Sequence, residues 1–118
     1  MKPDFSNFAS IAEFYFQPTP GQVYADLAGE LAILDSKTGV YYGLDPVGAR
    51  IWSLLLEWKT AGEVRAILLE EYEVDAGQVQ SDMLHLFGDL FTKKLIDIAP
   101  ASAKPAITPV EEAVPDLR

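Results

Sequence analysis

The chain has 118 residues, 49% of them hydrophobic, no cysteine, and a formal net charge of −9 from 18 acids against 9 Lys plus Arg. That length suits one domain with one modest core, and the lack of cysteine excludes disulfides, a thiolate metal site and a cysteine nucleophile. The acidic surplus repels nucleic-acid phosphate and anionic membrane, and no apolar stretch approaches the ~20 residues of a membrane span. MKPDFSNFASIAEFYF has no basic n-region leading into a long apolar run, so a signal peptide is not expected. A cytoplasmic protein is the simplest reading.

Residues 1–15 read as a loosely held lead-in, in which Phe5, Phe8, Ile11 and Phe14 recur at roughly helical spacing. Pro18, Pro20 and Gly21 then break the chain. Gln22 to Leu27 is a candidate strand, with Val23, Ala25 and Leu27 on one face. Ala28-Gly29 turns it into a second strand, Glu30 to Leu34. Asp35 to Gly39 supplies further turn chemistry, and the β-branched and aromatic run from Val40 favours a third strand, Val40 to Leu44. Strands this close in sequence pair as an antiparallel meander. The third strand is a candidate sheet edge, and a sheet edge can accept a peptide as a further strand.

Asp45 fits a helix N-cap with Pro46 at the first helical position. The first helix is expected from Pro46 to about Trp58, and Gly48 within it points to close packing. Thr60 to Glu63 reads as the capping box of a second helix, with Val64, Ile67 and Leu68 as its buried stripe. Asp75 to Gln78 opens a third helix that runs to about Lys94. Its apolar residues, among them Val79, Met83, Leu84, Leu86, Phe87, Leu90, Phe91 and Leu95, spread over about half the circumference. Either both sides of this helix are buried or the surplus lines a groove. Leu95 to Ile98 is a short final strand. After Ala99 the chain turns to Pro, Ala, Ser and scattered charge, the composition of an extended or disordered tail. The expected organisation is a lead-in over 1–15, a domain over 16–98 and a tail over 99–118. The fold class is α+β and winged-helix-like, with a three-stranded antiparallel sheet followed by three helices.

Enzyme chemistry is poorly supplied. His85 is the lone histidine, so a histidine-rich metal site and a histidine-paired nucleophile both lack residues. Asp82 and Asp89 share the polar side of the third helix and read as a solvated face. There is no phosphate-binding glycine loop, so neither a catalytic residue nor a cofactor is expected. A winged helix can read DNA, but here Asp82 and Asp89 would meet phosphate before Lys93 and Lys94 could help. A regulatory or protein-interaction module on the same fold is the alternative.

The runs LDSKTGVYYGLDPVGARIWSLL and TAGEVRAILLEEYEVDAGQVQSDMLHLFGDLFTKKLIDI, over roughly Glu30 to Ile98, resemble the PqqD-like peptide chaperones, or RiPP recognition elements. This group includes the stand-alone partners of lasso-peptide proteases. The resemblance rests on Leu34-Asp35, on the Gly39-x-Tyr41-Tyr42-x-Leu44 strand, on Gly48 three residues before Ile51-Trp52, on the acidic second helix ending near Tyr72, and on Asp82. No single element is specific; their order and spacing together are. The resemblance implies three strands and three helices, no catalysis, no metal and no cofactor. It implies capture of the leader of a ribosomally made precursor peptide, of the lasso, quinone-cofactor or another class. The leader would lie as a fourth strand against Val40, Tyr41, Tyr42, Gly43 and Leu44. The third helix would close the groove with residues drawn from Val79, Met83, Leu86, Phe87 and Leu90, and the motif leaves open which of these face it. It implies a processing enzyme supplied in trans, a protease or a radical-SAM-type modifying enzyme. A free edge also admits a strand-swapped homodimer. The aromatic lead-in or the Pro-rich tail is a candidate cover for that edge when no leader is bound.

Overall fold

The structure, a computed structural model, describes residues 3–105. Its first strand, β1 (Tyr15–Pro18), has no local signal beyond two aromatics, and it pairs with no neighbour in sequence. Three strands follow: β2 (Gln22–Leu27), β3 (Glu30–Asp35) and β4 (Tyr41–Leu44). They form the expected meander in the order β2-β3-β4, all antiparallel. Ala28 and Gly29 both take positive φ, 57° and 91°, which gives the connection a twist suited to a two-residue hairpin. The Asp26 carboxylate accepts the Gly29 N–H at 3.1 Å and fixes that turn. At the next turn the Asp35 N–H donates to the Val40 carbonyl at 2.9 Å, and the Asp35 carboxylate accepts the Lys37 N–H. Val40 sits just before β4 rather than within it.

The helices begin where their caps predict. α1 (Pro46–Leu56) starts at Asp45, whose carboxylate accepts the Gly48 N–H at 2.8 Å. A Cβ built on Gly48 would lie 3.2 Å from both Cβ and Cδ2 of Leu44, so glycine lets the first turn of α1 close onto β4. α2 (Ala61–Glu71) carries the full reciprocal capping box of Thr60 and Glu63. α3 (Ala76–Thr92) is capped by Asp75. The last strand, β5 (Ile96–Ala99), pairs antiparallel with β1 in a two-stranded sheet of its own, Phe16 opposite Ile98 and Pro18 opposite Ile96.

This second sheet changes the reading of the N-terminus. Residues 3–14 are packed rather than loosely held: Phe8 is buried, and Ile11 is fully so. Phe8–Ser10 is a single 3-10 turn, not a longer helix. The Ala12 and Phe14 carbonyls accept the Gly62 and Ala61 N–H groups at the start of α2. Phe16, with no exposed surface, stacks on Phe87 of α3 at a ring separation of 5.2 Å, and Phe5 stacks on Phe91 at 5.4 Å. One core therefore runs from the inner face of the meander (Leu31, Ile33, Leu44) through Ile51, Trp52, Leu55, Val64 and Leu68 to Phe87, Leu90, Leu95 and Phe16. The Gln22 and Thr19 side chains both donate into the α3–β5 junction, to the Leu95 and Lys94 carbonyls, and lock the two sheets together. Residues 99–105 continue as the end of β5 and a 3-10 turn, Ala101–Ala103. The rest of the expected tail lies outside the described residues.

Candidate functional site

β4 is the site's foundation because, among the described residues, it has a partner on one side only. Bonded and non-bonded pairs alternate along an antiparallel ladder. With the Val40 carbonyl bound to Asp35, that alternation places Tyr42 opposite Ile33 and Leu44 opposite Leu31 in bonded pairs. The N–H and C=O groups of Tyr41 and Gly43 then point away from β3, to the free edge. Side chains alternate with them: Leu44 is buried and Tyr42 half-buried on the inner face, while Tyr41 stands 64% exposed on the outer face.

Between this edge and α3 runs a groove of about 600 Å³. One wall is Tyr42, Gly43 and Leu44. The start of α1 adds Asp45, Val47, Gly48 and Ile51. Leu68, Tyr72 and Val74 come from the end of α2 and the segment after it, and Gln78, Val79, Asp82, Met83 and Leu86 come from α3. The floor is apolar and the rim carries the carboxylates of Asp45 and Asp82. Near one end the Tyr42 hydroxyl donates to Asp89 of α3 at 3.2 Å, and the Lys93 ammonium lies 5.8 Å from the centre of the Tyr42 ring. Burial, reinforced by the Asp89 charge and hydrogen bond, pushes the Tyr42 phenol above its ordinary pKa, so it stays a neutral donor. At the other side Arg50 holds Glu71 in a two-pronged ion pair, with N–O distances of 2.6 and 3.0 Å, tying α1 to the end of α2. That bond holds the Glu71 carboxyl below its ordinary pKa.

Of the residues drawn from the sequence, Tyr42, Gly43, Leu44, Val79, Met83 and Leu86 meet in this groove. Phe87 and Leu90 do not: their side chains are buried in the core, Phe87 against Phe16. Val40 precedes the strand, and the Tyr41 side chain faces the opposite side of the sheet. α3 answers both expectations at once, lining the groove with one side and packing under Phe5 and Phe16 with the other. Tyr72 and Val74 were missed. The sequence signal is that both are apolar residues in an otherwise acidic linker, and the structure leaves both more than a third exposed. The lead-in does not cover the edge: none of residues 3–18 lines the groove, and Phe5 instead borders a shallow depression with His85 on another side of α3. Among the described residues no cluster of His, Asp and Glu is placed to hold a metal ion, and no helix is long and apolar enough to cross a membrane.

The sequence profile of the family described as coenzyme PQQ synthesis protein D (PqqD) matches residues 30–96, more than half of the chain. The chain belongs to the PqqD family. The matched span of this PqqD-family chain begins with β3 and ends at the start of β5, so it contains β4, α3 and every residue of the groove. Two solved structures are similar to it. One, TbiB1 in complex with the TbiA(beta) leader peptide, is 37% identical with a TM-score of 0.65, over 69% of this chain and 94% of that one. The other, a lasso peptide synthetase B1 complexed with the leader peptide, is 25% identical with a TM-score of 0.65, over 70% and 98%. No curated protein sequence matches the chain.

Proposed function

We propose that this protein is a non-catalytic adaptor that binds the leader of a ribosomally synthesised precursor peptide and presents it to a processing enzyme supplied as a separate chain. The observation that carries this reading is the free edge of β4 beside an apolar groove, in a fold whose solved neighbours are leader-peptide complexes. The outward N–H and C=O groups of Tyr41 and Gly43 supply backbone hydrogen bonds to an added strand. The space between Leu44, Ile51, Leu68 and Met83 takes its inward side chains.

The register selects the test. Tyr41→Pro removes an outward N–H and leaves the β3–β4 ladder intact, which proline on an edge strand allows. Tyr42→Pro removes a ladder bond and is expected to destabilise the sheet. Labelled leader peptides encoded beside this gene should bind the wild type saturably in fluorescence anisotropy. Tyr41→Pro should weaken that binding at least tenfold, about 1.4 kcal/mol, with its melting temperature little changed. Undiminished binding by Tyr41→Pro would remove the edge from the site.

A further inference from the structure

Among the described residues, every ionisable side chain on the groove lining is an acid or a phenol: Tyr42, Asp45, Tyr72 and Asp82, with no Lys, Arg or His. The two carboxylates approach from different walls, Asp45 from the start of α1 and Asp82 from the second turn of α3. Asp45 already has a structural task, capping α1 through the Gly48 N–H, and the positive end of the helix offsets part of its charge. Asp82 has no such task. One of its oxygens accepts the Gln78 side-chain amide at 2.8 Å, and it has no cationic partner among the described residues, where Arg50–Glu71 is the sole ion pair. An unpaired carboxylate at the lip of an apolar cleft attracts a cation more strongly than one on an open surface, because the nearby medium is less polarisable. The net charge of −9 steers cations toward the molecule as a whole.

Resting on the reading of the groove as a peptide site, we infer that its occupant is a basic peptide whose lysine or arginine pairs with Asp82. A strand laid on the β4 edge sends alternate side chains to the same side. If one bulky apolar side chain fills the floor at Leu44, Ile51 and Met83, the residue that reaches the rim from the same face lies two positions away. The recognised pattern is therefore an apolar residue and a Lys or Arg at i and i±2, with Asp82 as the specificity-determining residue.

A phage-displayed library of random dodecapeptides, panned in parallel on the full chain, on Asp82→Asn and on Tyr41→Pro, tests this. Wild type should retain peptides that Tyr41→Pro loses, enriched in Lys or Arg two positions from an apolar residue. Asp82→Asn should keep the apolar preference and lose the basic one. For a selected peptide, replacing that Lys by Gln should cost about tenfold in affinity for wild type and under twofold for Asp82→Asn. Asp82 is exposed, and superimposable circular dichroism of the variant establishes that its fold is kept. Binders without a basic preference, or a preference unchanged in Asp82→Asn, overturn the assignment and leave peptide binding standing. A library with no binder sensitive to Tyr41→Pro overturns both.

Discussion

Three sites, at the end of α3, on the α1 wall of the groove and between α1 and α2, show how single residues tune this fold. Lys94 follows α3 in the left-handed region at φ 62°, with the Lys94 N–H donating to the Phe91 carbonyl and the Leu95 N–H to the Leu90 carbonyl. That is the helix-ending pattern in which glycine is the preferred residue. A side chain there costs about 1–2 kcal/mol, while glycine gives back about 0.4–1 kcal/mol through the freer unfolded chain. Lys94→Gly should therefore stabilise by ~0.5–1 kcal/mol, a rise of a few degrees in melting temperature by calorimetry. Gly48→Ala should do the opposite despite alanine's better helix propensity. Its methyl group would press on Leu44, which is buried and held in β4, so ~1–3 kcal/mol of overpacking outweighs ~1 kcal/mol of propensity in urea titrations. The Arg50–Glu71 pair gives a pH signature. The Glu71 carboxyl is depressed below its ordinary 4.5, so the pair's stabilisation is full above about that pH and is lost as pH falls through the lower folded value. Wild type should melt slightly above Glu71→Gln at pH 7, and the two should converge in strong acid. A constant gap across that range would show that the charge plays no part.

Elements announced by local chemistry were legible in the sequence, and elements made by distant contact were not. The Asp45-Pro46 start, the Thr60–Glu63 box and the Asp75 cap each satisfy backbone donors within a few residues, so they mark α1, α2 and α3 without reference to the rest of the fold. The same is true of the Ala28-Gly29 turn and hence of β2, β3 and β4. β1 has no such mark. It exists because Tyr15–Pro18 meets Ile96–Ala99, some eighty residues downstream, and its four residues end in a proline that reads as a breaker. The groove was partly legible: the strand wall followed from the motif. Which α3 residues face it depended on Phe5, Phe16 and β5 claiming the other side of that helix. The consequence is testable at the level of the element. Phe16 has no exposed surface and touches Phe5, Phe14 and Phe87 through its ring, so Phe16→Ala should cost about 3–5 kcal/mol in chemical denaturation. Deleting residues 1–14 removes Phe8 and Ile11 as well as the carbonyls that receive the Ala61 and Gly62 N–H groups. That loss is comparable to a whole domain's margin of roughly 5–15 kcal/mol. The truncated chain should show no cooperative melt, whereas a segment that merely shielded the β4 edge would leave the melt intact and tighten leader binding.

At the scale of the molecule, charge and exposed apolar surface oppose each other. Among the described residues none forms a layer over the outer face of the meander. Val23, Leu34 and Tyr41 are cross-strand neighbours there, 59%, 42% and 64% exposed, and Leu27 adds to the patch. Beside them lies the unpaired edge of β4. Both features favour association between copies, and the chain's excess of acids holds copies apart at neutral pH. The balance is set by carboxylate protonation, and the sequence isoelectric point is about 4.4. Light scattering should therefore find the protein monodisperse at pH 7.5 and low salt and associating as pH approaches 4.4, reversibly when the pH is restored. Two variants separate the surfaces. Leu34→Lys places a cation at the centre of the outer face without touching the edge, because Leu34 points away from the core that Leu31 and Ile33 enter. Tyr41→Pro disables the edge while leaving most of the face. If Leu34→Lys suppresses acid association and Tyr41→Pro does not, the apolar face drives it; the converse result assigns it to strand pairing at β4. In the second case a bound leader, by occupying that edge, would itself keep the protein dispersed, so adding peptide at pH 4.5 should reverse the scattering signal in wild type and have no effect on Tyr41→Pro.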